Sequence, residues 1–284
     1  MKRTKIITVL AAALLFIAHL PQVAFANDAF EVAPAGKLSP EALKSGFEIG
    51  TELSYITYEE PGLMEDKGFM YGICGSYTWR EDMMLKLEGK YAYGQVDYTS
   101  TTTGSMDDIN DTMVEVRILS GYDFPFMDII YITPYTGFGY RYLNDDSSGK
   151  TTSTGALGYN RESNYLYSPI GVELSLPPTN DVTVSFIFEY DVFLWGLQKS
   201  YLSSANSNYN DLENRQREGY GIRSSLPILI KTEYFYVVIE PYVRYWDIEK
   251  SDTDTVTYGG IAVGYGYEPK NTSTEWGLKV AVAF

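Results

Sequence analysis

The chain has 284 residues, 26 of them tyrosine, with one cysteine, one histidine and a formal net charge of −15. Such acidity disfavours a nucleic-acid backbone and an anionic lipid surface as partners, and the lone Cys74 excludes an internal disulfide. The only imidazole is His19, so residues 20–284 have no histidine for acid–base work or metal ligation.

The start is basic (Lys2, Arg3, Lys5), and Ile6 to Leu20 is an apolar run broken only by Thr8 and His19. Ala24-Phe25-Ala26 then supplies a small-x-small cleavage pattern. The expectation is a secretory signal peptide over residues 1–26. Its removal leaves 19 basic against 37 acidic residues, a net charge of −18. No later apolar run reaches 18 residues, which excludes membrane-spanning helices. Residues 27–45 read as a periplasmic segment, with Ser39-Pro40-Glu41 and Gly46 bracketing a short helix.

From residue 46 onward the pattern has period two. Successive side chains of a strand point to opposite faces, so a membrane barrel needs one uncharged parity toward lipid and a polar one toward the lumen. Phe47, Ile49 and Leu53 oppose Glu48 and Glu52 in a first strand. A second sets Phe69, Tyr71, Ile73, Tyr77 and Trp79 against Gly72, Cys74, Ser76 and Thr78. In the third and fourth, Lys86, Glu88, Lys90, Glu115 and Arg117 share the inward parity. Arg141 joins them from the fifth, Glu173 from the sixth, Glu189 and Asp191 from the seventh. Arg223 comes from the eighth, Glu240 and Arg244 from the ninth, Glu275 and Lys279 from the tenth. A charge on the lipid face costs about 2–4 kcal/mol at mid-bilayer, which explains the segregation. Short connections follow the even strands and long polar ones the odd strands, as periplasmic turns and extracellular loops require. The fold expected is an all-β, closed antiparallel transmembrane barrel of about ten strands over residues 46–284. Twelve is the alternative if Val256–Tyr267 contributes strands to the wall rather than a loop hairpin. Aromatics gather at strand ends: Trp79, Tyr122, Phe124, Phe126, Tyr234 and Phe284 at the periplasmic interface, and Tyr55, Tyr142, Tyr165, Trp195 and Trp276 at the outer one.

The last strand ends in Phe284, with Val282, Val280, Leu278 and Trp276 at alternate positions. It resembles the C-terminal assembly signal of bacterial outer-membrane proteins. Thr133-Pro134-Tyr135-Thr136-Gly137-Phe138-Gly139-Tyr140 resembles a strand motif of small barrels in that superfamily, and the layout is similar to the omptin-shaped barrels. The resemblance implies residence in the Gram-negative outer membrane, contact with its lipid and lipopolysaccharide, and insertion by the barrel assembly machinery. It does not carry over the omptin catalytic site, because an Asp–His pair is part of that site and the processed chain has no histidine.

The mixed signs of the lumen set read as an ion-paired plug, since buried charges must find partners, with a narrow polar pore as the alternative. Arg80, near the inner rim, suits either. Asp107-Asp108 is a paired carboxylate, but on a loop it reads as a solvated face. Asp111, Asp145, Asp146, Asp211, Asp252 and Asp254 match no calcium-loop spacing. The expectation is a monomeric, non-enzymatic surface barrel without cofactor or defined metal. Its loops would bind a ligand or partner or maintain envelope integrity. A porin-like channel for small solutes is the second reading and an omptin-like hydrolase the third.

Overall fold

The computed structural model describes residues 45–126, 130–177, 179 and 181–284. The expected signal peptide and most of the 27–45 segment lie outside the described residues. The wall begins with β1 (Gly46–Glu60), β2 (Met64–Arg80), β3 (Met83–Ser100) and β4 (Gly104–Tyr122). A short β5 (Phe124–Phe126) prolongs β4 and pairs with β6 (Ile130–Asp146). Next come β7 (Asn160–Leu176) and β8 (Val182–Tyr201). The eighth wall strand is broken into β9 (Leu212–Gln216), β10 (Gly219–Ser225) and β11 (Ile228–Lys231). β12 (Tyr236–Ile248) and β15 (Asn271–Ala283) complete it, and β15 pairs antiparallel with both β12 and β1. The sheet is thereby closed on itself. β13 (Thr253–Tyr258) and β14 (Ile261–Tyr267) form a separate hairpin between β12 and β15. The count is ten.

One expectation needs correction. Gln95–Asp111 reads in sequence as a polar loop, yet β3 and β4 continue through it and turn only at 101–103. The turn from β1 to β2 is likewise just 61–63. Extracellular connections are therefore not uniformly long. A tilted strand crosses a bilayer in about 9–11 residues, whereas β4 has 19 and β8 has 20. The extra length stands above the bilayer, where the outer face no longer has to be apolar. The lipid signature disappears there while the hydrogen-bonded ladder goes on.

Within the membrane the parity reading holds. Phe47, Ile49, Phe69, Tyr71, Ile73, Phe138, Ile170 and Trp276 are exposed on the outer face, while Glu52, Lys90, Glu115 and Arg141 are buried within. Outward rings pair in two belts. Phe47–Tyr77, Tyr122–Phe124 and Phe235–Phe284 lie near the periplasmic end, with centroids 4.5, 4.7 and 6.4 Å apart. Tyr55–Phe69, at 5.1 Å, belongs to the other belt, with Trp276 opposite Tyr55 in register. Phe47 to Tyr55 is about 26 Å of strand at roughly 3.3 Å per residue, close to the roughly 25 Å apolar band once ring size offsets the tilt. Tyr165 departs from its expected outer place. It is buried in the lumen against Phe193, because it shares the inward parity of β7.

Candidate functional site: the lumen and its outer mouth

Read from the periplasmic end outward, the lumen-facing side chains repeat one order. Charges come first, apolar residues next, and acids again at the top. β1 gives Glu48, Glu52, Ile56 and Glu60; β12 gives Glu240, Tyr242, Arg244, Trp246 and Ile248.

The lowest stratum opens into a cavity of about 230 Å³ at the periplasmic mouth, lined in part by Ser45, Arg80, Lys86, Glu173, Glu240 and Lys279. Arg80 donates from Nη2 to Glu173 at 2.9 Å and lies 3.4 Å from Asp123, whose Oδ1 accepts from Thr133 at 2.5 Å. Arg80 thus joins the ion-paired network at the inner rim, and Asp123 was not singled out in the sequence. Lys279 pairs with Glu48 at 2.7 Å and also with Glu240. Lys86 pairs with Glu88 at 2.7 Å.

Above this the charges knit tightly. The Arg223 guanidinium grips Glu115 with two hydrogen bonds, at 2.9 and 2.5 Å, and reaches Asp191 at 2.7 Å and Glu189 at 3.3 Å. Arg117 pairs with Glu88 at 3.2 Å and with Glu189. Lys90 joins Glu275, at 2.7 Å, to Glu52, and Arg244 meets Glu275 at 3.3 Å. Tyrosine hydroxyls complete the network: Tyr167 donates to Glu115 at 2.7 Å and Tyr135 to Glu189 at 2.9 Å. Arg141 stacks on Trp246, with 5.6 Å between its guanidinium carbon and the ring centroid. Every residue of the expected charge set therefore faces the interior. Taking so many charges out of water is costly unless each meets an opposite charge and its spare lone pairs are satisfied.

Three inward glycines make this packing possible. A Cβ at Gly139, Gly171 or Gly277 would collide with the ring of Tyr167, Tyr135 or Tyr242, respectively. Each tyrosine lies flat over a neighbouring strand's glycine and sends its hydroxyl to a carboxylate.

The next stratum is apolar, and the sequence reading did not single it out. Ile56, Met70, Ala92, Val96, Met106, Ile109 and Met113 pack on one side of the lumen. Tyr165, Tyr167, Phe193, Trp246 and Ile248 pack on the other, and Leu143 touches both groups. The signal was present as apolar residues on the inward parity beside polar outward ones, such as Val96 between Gln95 and Asp97 and Ile109 between Asp108 and Asn110.

At the outer mouth Arg161 is ringed by acids. It lies 3.2 Å from Glu60, 3.2 Å from Asp66 and 3.7 Å from Asp145. Tyr58 donates to Glu268 at 2.8 Å, and the Ser251 hydroxyl accepts from the Glu268 backbone N–H at 2.8 Å. Burial holds the Glu268 carboxyl up at about 7; Arg161 opposes this and Glu60 adds to it. Asp111 and Asp145 face one another in register between β4 and β6, so they are wall residues and not loop acids. Asp107 and Asp108 remain exposed, beside the irregularity between Val96 and Tyr98. No group of carboxylates among the described residues has the geometry to hold a metal ion. Cys74 stays on the lumen side, and its thiol is unpaired with any other cysteine.

Residues 9–217 match the family model described as outer membrane protein beta-barrel domain. The chain belongs to that family. It is a Gram-negative outer-membrane protein. No curated protein matches its sequence. The outer membrane protease OmpT from Escherichia coli superposes with a TM-score of 0.59 at 9% identity, covering 86% of this chain and 99% of that one. Neisserial surface protein A is 15% identical, with a TM-score of 0.31, over 84% of this chain and 97% of its own. The attachment invasion locus protein Ail of Yersinia pestis is 8% identical, with a TM-score of 0.31, over 85% and 100%. At these identities the likeness to OmpT is one of fold.

Proposed function

We propose that this family member is a non-conducting, non-enzymatic surface barrel. Its strand extensions and outer loops bind a ligand or partner at the cell surface and brace the envelope, in contact with lipid and lipopolysaccharide. The observation that carries this reading is the apolar stratum, from Met70, Val96 and Met113 across Leu143 to Phe193 and Trp246. Ions cross a pore only where water or polar groups replace their hydration, and a packed apolar layer supplies neither. The ion pairs below it are mutual, so few charges are free to guide a solute. Against a hydrolase stands the chemistry: OmpT is an outer membrane protease, but residues 20–284 of this chain lack the imidazole that most often serves as general base near neutral pH.

Single-channel recording in planar bilayers tests the reading. The folded protein should give no steady open level, and reproducible steps would defeat it. Turnover of peptide or ester substrates by the same preparation, lost on Asp107→Asn with Asp108→Asn, would favour a hydrolase.

A further inference from the structure

On the outside of the wall, Lys67 pairs with Glu65 at 2.5 Å, Lys199 with Glu213 at 3.4 Å, and Lys270 with Asp247 and Glu249 at 2.6 and 2.8 Å. Arg215, Arg217 and Lys250 differ. All three are exposed, and among the described residues their side chains make no hydrogen bond, ion pair or ring contact. In a chain with 37 acidic residues, cations left unpaired are conspicuous. They also lie together. Arg215 and Arg217 alternate with the buried Asn214 and Gln216, so both stand on the outward parity, about 7 Å apart along the chain. Glu249 donates its N–H to the Glu218 carbonyl at 2.9 Å and Asp252 to the Arg215 carbonyl at 3.0 Å, which brings Lys250 alongside. The neighbouring acids are largely engaged: Glu213 by Lys199, Asp247 and Glu249 by Lys270, and Asp252 by the Arg215 N–H at 2.6 Å. An aromatic girdle fixes their height. Tyr190, Tyr220 and Tyr245 cluster across β8, β10 and β12 with centroids 5.8 and 6.2 Å apart, and Trp195 is exposed nearby on β8. Such rings sit at the level of the lipid headgroups. Arg217 is three residues, about 10 Å, farther out than Tyr220 on the same wall strand.

We propose that Arg215 and Arg217, with Lys250, hold a phosphate group of lipopolysaccharide in the outer leaflet. This names the site of the lipopolysaccharide contact proposed above and rests on that reading. A guanidinium presents a planar fork of donors that matches phosphate oxygens bidentately. Two such forks on one strand face clasp a phosphate from both sides, and Lys250 adds a point charge. The long arginine stems reach down toward the girdle while the charged heads stay at the polar boundary. The site opens sideways over Trp195 and Tyr220, where a lipid's acyl chains lie, and not upward into the mouth of the barrel. The chain as a whole repels an anionic leaflet, so an attractive contact has to be local. Unpaired arginines at headgroup height supply it.

The test uses the full chain folded in detergent, with lipid A carrying both phosphates as the probe and its dephosphorylated form as the comparison. Native mass spectrometry should show the phosphorylated lipid bound more tightly by about tenfold or more. Arg215→Gln with Arg217→Gln should remove that preference, while heat-modifiable gel mobility shows the barrel intact. Lys67→Gln, on β2, should retain it. Inorganic phosphate at millimolar concentration should not displace the lipid. Three results would each overturn the proposal: equal binding of the two lipids, a double variant that keeps the preference, or displacement by inorganic phosphate, which would mark a site for a free anion. None of the three alters a closed planar-bilayer recording, so this proposal can fail while the non-conducting barrel stands.

Discussion

Replacing Arg223 by methionine tests whether the lumen charges hold the barrel together. The side chain is retained in length and loses its guanidinium. Glu115 forfeits both hydrogen bonds from that group, keeping the Tyr167 hydroxyl at 2.7 Å. Asp191 forfeits its 2.7 Å contact, while Glu189 keeps Arg117. Two buried carboxylates are left without their cation. Breaking one buried pair in this way costs about 3–5 kcal/mol. Loss of the stacking on Tyr167 and Trp246, at 5.2 and 5.7 Å, adds about 1 kcal/mol. The expected destabilisation is therefore about 4–6 kcal/mol, read from reversible urea unfolding in phospholipid vesicles by fluorescence of the chain's four tryptophans. Adding Glu115→Gln and Asp191→Asn removes the orphaned charges and should restore more than half of the loss. A single variant less than about 1 kcal/mol down would place these contacts on a par with surface ion pairs and refute the reasoning.

Other perturbations follow from the same geometry. Gly277→Val drives a side chain into the Tyr242 ring and should cost about 1–3 kcal/mol by overpacking in the same unfolding assay, with Gly277→Val/Tyr242→Leu partly relieved. Met113→Ala hollows the apolar stratum and should cost about 2–5 kcal/mol. It should leave planar-bilayer recordings closed, because the neighbouring side chains still exclude water. Glu268 titrates from an ordinary 4.5 up to about 7 in the folded chain. The exposed form therefore loses its proton first, and attachment of the 249–270 loop is strongest below about pH 4.5 and declines as pH rises through 7. The decline is at most about 3 kcal/mol. Proteolysis of the loop should be slower at pH 5 than at pH 8, and Glu268→Gln should abolish the difference.

The wall was legible in the sequence because lipid imposes a rule with no local exceptions. Phe47, Ile49 and Leu53 must all share one parity, and Glu48 and Glu52 the other. The outer portions were not legible for the converse reason. Beyond the bilayer, Gln95, Asp97 and Asn110 satisfy a hydrogen-bonded ladder with their own outer face wet, so the apolar outward stripe that marks a membrane strand is missing. The charge set was readable one residue at a time but not its pairing. That Arg223 on the eighth wall strand would meet Glu115 on the fourth depends on barrel shear and diameter, which no local period encodes. Tyr165 shows the limit of composition: an aromatic near a strand end suggests an interfacial belt, and only strict parity sends it inward.

The order of the strata bears on how the barrel closes. Ion pairs alone make a poor seal, since each charge attracts water and a single relaxed pair opens a wet path. An apolar layer alone would lack the directional contacts that fix which residue faces which. Here Tyr167 belongs to both: its ring packs with Trp246 at 5.1 Å and covers Gly139, while its hydroxyl donates to Glu115 and accepts from Arg223. Tyr167→Phe should then keep the seal and lose only hydrogen bonding, whereas Tyr167→Ala should breach both layers. If Tyr167→Ala lost no more stability than Tyr167→Phe, and neither admitted ions, the two strata would be independent and the coupling argued from this ring would fall.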